Sequence, residues 1–221
     1  MFAPANQCRA IEPNQSDWWA SADWREYERL YGVTLSRVDT LASATWQTRV
    51  VDLTVSDTDL WRGLRRSAKA LIHKAERTCA ITVRPAHDMT AFRLMHLALA
   101  GRATRPIESW DLMAEWVTEG KLVLVGAAQN GVDLAFAAAY VVGDWSYYGH
   151  AAATTPSVGH ALVWRLMTEA KRRGATVFEV GWQGQDSSAK GQGIEQFRRA
   201  FGGVDVPAAS QGIRSAIMAT T

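Results

Sequence analysis

The segment Phe197-Arg198-Arg199-Ala200-Phe201-Gly202-Gly203 places two guanidinium groups between two phenylalanines and closes on paired glycines, a composition suited to a ligand that carries or develops negative charge. An arginine offers a fixed fork of donors but does not give up a proton, so Arg198 suits electrostatic stabilisation rather than acid catalysis. Phosphate binding, or pairing with Glu179 or Glu195, is the other use open to it. Glu179 sits in the apolar run Phe178 to Val180, where a carboxylate could accept a proton or hold Arg198. Upstream, Tyr147, Tyr148 and His150 share one short strand-like run; strict alternation puts Tyr148 and His150 on one face and Tyr147 on the other. His150 is the histidine placed to act as a base, a structural role being its alternative. Gly181-Trp182 allows backbone to approach a ligand. Arg102 and Arg105 follow the end of a helix, where they either touch substrate or cap that helix.

Basic residues gather in three further groups: Arg65, Arg66, Lys69 and Lys74 on one helix, then Lys171, Arg172 and Arg173, then Lys190 with Arg199. Each reads singly as a solvated face, and together they suit a phosphate-rich ligand such as RNA even though the net charge is only +2. Cys8 and Cys79 belong to no metal or redox spacing, so no metal and no cofactor are expected. Ten tryptophans in 221 residues serve mainly as core, with Trp18, Trp19 and Trp24 near the polar start less easily explained that way. No apolar run approaches membrane-spanning length and the first ten residues lack the order of a signal peptide, so a cytoplasmic, membrane-free protein is expected, with a monomer as the expected state.

These side chains need positioning elements. Residues 1–44 read as a helical appendage, capped at Ser16-Asp17, and 45–221 as a single α/β unit. A strand over Thr45 to Leu53 precedes one long helix opened by Ser56-Asp57 and carrying Leu60, Leu64, Ala68, Ile72 and Ala75 on one side. Ala80 to Arg84 is a short strand; helices capped by Asp88 and over 107–117 follow. Lys121–Ala128, Val132–Val142 and Trp145–Ala152, parted by Asn130-Gly131 and Gly143-Asp144, form an antiparallel meander. A crossover helix over 157–173 then returns the chain to a strand at 176–181, parallel to Trp145–Ala152, so the sheet is mixed and mostly antiparallel. The glycine-rich stretch through Gly193 reads as loop, a helix follows from Ile194 to Phe201, and a terminal strand is expected over 212–218.

Meander, crossover helix and parallel strand make up the core order of GNAT acyltransferases. The strings Trp145-Ser-Tyr-Tyr-Gly-His150, Pro156, Ala161-Leu-Val-Trp-Arg-Leu-Met167, Phe178-Glu-Val-Gly181 and Phe197-Arg-Arg-Ala-Phe-Gly-Gly203, with the basic Ile72-His-Lys-Ala-Glu-Arg77 upstream, resemble the FemABX family within the GNAT superfamily. The likeness runs in one order from Asp52 to Gly203. Arg198 stands where that family has Lys, Glu179 where it has Asp, and Gly101 to Pro106 departs from its Thr-x-x-Arg segment.

The resemblance implies transfer of an amino acid from aminoacyl-tRNA to the amine of a small peptide or metabolite, without a covalent enzyme intermediate. Arg198, Glu179 and His150 would then be catalytic; Phe197, Tyr147, Tyr148, Trp182, Arg102 and Arg105 would bind substrate, and the basic groups would hold tRNA phosphates. One module, where the family's cell-wall enzymes have two, implies a smaller acceptor. Short relatives add an aminoacyl residue to biosynthetic intermediates, including pacidamycin-type peptidyl nucleoside antibiotics. Two alternatives stand beside this reading. One is an acyl-coenzyme A N-acyltransferase, for which Pro156-Ser-Val-Gly-His-Ala161 keeps the glycine of a pyrophosphate loop but lacks its opening basic or amide residue. The other is an RNA-binding module without activity.

Overall fold

A computed structural model describes residues 46–104, 107–183 and 188–208. The expected N-terminal helix, Arg105 and the strand expected over 212–218 lie outside the described residues, as does the side chain of Trp182.

Seven strands form one sheet. They are β1 (Trp46–Asp52), β2 (Ala80–Val83), β3 (Leu122–Gln129), β4 (Val132–Val142), β5 (Trp145–Ala153), β6 (Val177–Gln183) and β7 (Val204–Ala208), in the order β2-β3-β4-β5-β6-β1-β7. Every pairing is antiparallel except β5 with β6. The expected meander is present, and its first turn follows from Asn130-Gly131, both at positive φ as a two-residue hairpin requires. Strands β3 and β4 are apolar on both sides because both faces are covered.

On one face lie α1 (Asp57–Gly63), α2 (Arg66–Thr78) and the crossover helix α5 (Gly159–Arg172), over a core that includes Ile72, Val123, Leu162, Leu166, Phe178 and Phe201. On the other lie α3 (Met89–Ala100) and α4 (Ile107–Thr118), over Phe92, Trp116, Phe136, Tyr140 and Trp145. Helix α6 (Ala189–Arg199) returns the chain along β6.

Three local expectations are corrected. The long helix expected from Ser56 is two helices, because Leu64 and Arg65 are extended and the Arg65 N–H donates to the Ala200 carbonyl across the fold. Asp88 does not cap α3 with its side chain; it sits in a short 3-10 turn and accepts from Arg84 at 3.2 Å. Helix α6 starts five residues earlier than its periodicity suggests and takes in Gly191 and Gly193, since Ser188 supplies an N-cap that accepts from the Gly191 N–H at 3.1 Å.

Candidate active site

Strands β5 and β6 pair over only three positions, Trp145 with Val177, Ser146 with Phe178, and Tyr147 with Glu179. Past that point β5 stays with β4 and β6 stays with β1, so a wedge opens in the middle of the sheet. Tyr148 is the first residue of β5 beyond the last pair, and Gly181 lies two beyond it on β6.

Arg198 faces this wedge. A Cβ placed on Gly181 would stand 3.0 Å from Arg198 Nε and 3.1 Å from its Cζ, so the guanidinium rests directly on the Gly181 backbone. Gly181 has φ +121°, a conformation that only glycine adopts easily, and β6 bulges there, with Arg49 opposite Gly181 but Val50 opposite Glu179. The bulge turns Gly181 toward the side of α5 and α6. Phe197 packs 5.2 Å from Phe201 and against Gly159 at the first turn of α5. Tyr148 lies on the same side, 6.4 Å from Phe197. Burial pushes the Tyr148 phenol up to about 12, against the downward pull of the Arg198 charge, and so it remains a proton-bearing donor at neutral pH.

Glu179 points to the opposite face. It is fully buried and accepts from Thr48 Oγ1 at 2.6 Å and from Trp145 Nε1 at 3.2 Å. Tyr147 stacks on Tyr140 on that same face. His150 belongs there as well, contrary to strict alternation. Gly149 is an extra residue in β5, since Ala139 opposes Tyr148 and Ala138 opposes His150. This bulge reverses the alternation and delivers His150 Nε2 to within 2.9 Å of the Tyr140 hydroxyl. Glycine is needed there because a Cβ would stand 2.6 Å from the Tyr140 ring. The three side chains expected to work together are therefore divided by the sheet: Arg198 on one face, Glu179 and His150 on the other.

The basic residues also separate. Lys171 is bound to Asp57 at 2.8 Å and to the Val55 carbonyl, while Arg172 and Arg173 both grip Glu169. Hydrogen bonds from Arg172 first, and then from Arg173, hold the Glu169 carboxyl down to about 2 against the opposing effect of burial. Lys69 donates to the Arg62 carbonyl at 3.0 Å. Arg199 is paired with Asp205 at 3.1 Å. By contrast Arg65, Arg66, Lys74 and Lys190 are exposed and form no ion pair among the described residues. Arg102 is exposed just past α3.

Several residues of the site escape a reading by motif. Arg49 donates to Asp205 at 2.8 Å and to the Gly202 and Gly203 carbonyls at 2.9 and 3.2 Å, tying the Phe197–Gly203 segment to β1 and β7. Its signal was present: alternation puts Arg49 on the same side as core residue Val51, an odd place for an unpartnered cation. His160 lies on the Arg198 side, with ring centroids 4.8 Å from Phe197 and 5.5 Å from Phe201 and with a buried Nδ1 that has no hydrogen-bond partner. Burial lowers its pKa from the ordinary 6.5. The unfolded chain therefore binds a proton that the folded site resists, and stability is lost as pH falls through 6.5. Melting temperatures measured between pH 7.5 and 5 should fall less steeply for His160→Phe than for the unaltered protein.

Among the described residues no group of three or more His, Cys, Asp or Glu is placed to hold a metal ion, and no helix is long and apolar enough to cross a membrane.

No family model matches the chain, and no curated protein matches it by sequence. Solved structures do resemble it. FemX superposes with a TM-score of 0.62 at 12% identity over 83% of this chain and 66% of its own. The C-terminal domain of a lysylphosphatidylglycerol synthetase from Agrobacterium fabrum gives 0.53 at 14% identity, over 79% and 62%. A conserved protein of unknown function from Bacteroides thetaiotaomicron gives 0.50 at 10% identity, over 82% and 64%. The chain thus spans a little under two thirds of each of these proteins, and what it shares with them is the fold, a mixed, mainly antiparallel sheet between helices.

Proposed function

We propose that this protein is an aminoacyltransferase that moves an amino acid from aminoacyl-tRNA to the amine of a small peptide or metabolite, with no covalent enzyme intermediate. The observation that carries the proposal is the Arg198 guanidinium resting on Gly181 at the parting of β5 and β6, with the protonated Tyr148 phenol on the facing strand. Two of the similar structures bear names of aminoacyl-transferring proteins, which supports the same reading.

The reaction asks for alignment, charge stabilisation and one proton relay. The acceptor nitrogen attacks the ester carbonyl carbon; the C=O electrons move onto oxygen, and Arg198 faces that developing oxyanion. When the tetrahedral species collapses, the C–O bond to ribose breaks and the leaving oxygen needs a proton. Arg198 does not supply it, whereas the Tyr148 hydroxyl does, and is reprotonated from the nitrogen through solvent. Phe197 packs against the terminal adenosine, and the exposed Arg65, Arg66, Lys74 and Lys190 attract tRNA phosphates. Glu179 and His150 lie on the opposite face, where the expected role of Glu179 as the Arg198 partner gives way to one of fixing β1 and β5 around the wedge, and His150 is held by the Tyr140 hydroxyl.

Incubation with a mixed pool of labelled aminoacyl-tRNAs and candidate amines tests the proposal: label should leave tRNA and appear in an amide. Absence of transfer to any amine would overturn it. Tyr148→Phe should lower turnover roughly 100-fold at little cost in donor affinity, as loss of a positioned acid does; turnover within about twofold of the unaltered enzyme would remove Tyr148 from the relay. One observation favours the acyl-coenzyme A alternative, namely that the first turn of α5 has no acidic residue and no side-chain cap to compete with an anion. Thermal stabilisation by acetyl-coenzyme A but not by charged tRNA would select it.

A further inference from the structure

Gln183 closes β6, two residues past Gly181 and on the same side of the strand. Its side chain is 3% exposed, its Nε2 donates to the Gly181 carbonyl at 3.3 Å, and its Oε1 is buried with no hydrogen-bond partner. Only Arg84 Nε and His160 Nδ1 share that condition among the described residues. A buried amide oxygen left unpaired is costly in the free protein, and the cost is recovered when a donor arrives. The bond from Nε2 fixes which end of the amide faces away from Gly181, and that end accepts only. Its ligand atom must therefore carry hydrogen, which excludes a carboxylate or phosphate oxygen. Through Gly181 the same amide is joined to the backbone on which Arg198 rests.

We infer that Gln183 is a recognition residue for a substrate amine, its Oε1 accepting an N–H close to the carbonyl that Arg198 faces; the inference rests on the aminoacyl-transfer reading above. Two amines meet that requirement: the α-ammonium of the aminoacyl donor, adjacent to the reacting carbonyl carbon, and the attacking amine of the acceptor. Either gains an oriented hydrogen bond, and neither is satisfied by Arg198, which only donates.

The test compares the full chain with Gln183→Met, a substitution that keeps volume and removes the unmet acceptor. In thermal shift, amino-acid methyl esters should stabilise the unaltered protein, their N-acetyl derivatives should not, and Gln183→Met should respond to neither. In transfer assays Gln183→Met should lose roughly 10- to 100-fold in kcat/KM, the range of one hydrogen bond to a charged group. If free and N-acetylated aminoacyl-tRNA then become equivalent donors, the α-ammonium is the amine recognised; if the donor preference persists and the acceptor KM rises, it is the attacking amine. The melting temperature without ligand should change little, because the lost bond to the Gly181 carbonyl is offset by an apolar group in place of an unpaired buried acceptor. A melting temperature lowered by more than about 5 °C would make Gln183 a structural residue. Equal ester responses in both proteins, or unchanged kcat/KM and donor preference, would overturn the inference. Ester stabilisation that depends on Gln183 without any transfer from tRNA would instead uphold the amine site and sink the aminoacyl-transfer reading alone.

Discussion

Arg198→Ala is expected to lower kcat roughly 10²- to 10³-fold while the donor KM moves by less than about threefold, the pattern of an interaction realised mainly in the transition state. The guanidinium, carried by α6, lies on the Gly181 backbone where β5 and β6 have separated. Truncation removes the positive charge from the point where negative charge develops and leaves the surrounding packing of Phe197 and Phe201 in place. Arg198→Lys should recover part of the rate, because the charge returns without the planar fork. Steady-state kinetics on both variants decide the matter: an unchanged kcat with a raised KM would make Arg198 a binding residue.

The largest effect on stability is expected two residues beyond the second phenylalanine of that segment. Gly203 has φ +74°, and a Cβ there would stand 2.0 Å from the Val50 carbonyl oxygen and 2.8 Å from its carbon. The obstacle is backbone of β1, which also pairs with β6 and β7, so it cannot step aside as a flexible side chain would. Gly203→Ala combines a steric overlap with a disfavoured backbone conformation and should cost about 4 kcal/mol or more, enough to unfold many domains of this size. Circular dichroism melts should show a much reduced transition temperature or none. A melting temperature within about 2 °C of the unaltered protein would show that the close approach of Gly203 to Val50 is absent in solution.

The central sheet was legible because its signals are local. Apolar runs of strand length, an Asn-Gly turn and a connection between Ala152 and Thr176 long enough only for a strand–helix–strand crossover dictate the meander, α5 and β6 from neighbouring residues alone. What escaped has causes far away in the chain. The break between α1 and α2 depends on Arg65 meeting Ala200, and β7 is a strand because Arg49 and β1 receive it. The early start of α6, across two glycines that are poor helix formers, depends on a serine cap outweighing propensity. In the site, Arg198 and Tyr148 could be singled out by residue type, but the division of Glu179 and His150 from them rests on bulges that no periodicity announces. Gln183 carried no sequence signal, since its significance is a partner it lacks.

The single extra residue at Gly149 has a consequence for how roles pass between related proteins. An alignment that runs through β5 without a gap assumes that each side chain keeps its side of the sheet, yet one residue gained or lost at this point exchanges the sides for everything after it. A relative with an identical Tyr-Tyr-x-His string but no bulge would offer its histidine to Arg198. Identity of letters and identity of chemistry part company there, and the residue count between Tyr148 and the end of the strand is the trait to compare first.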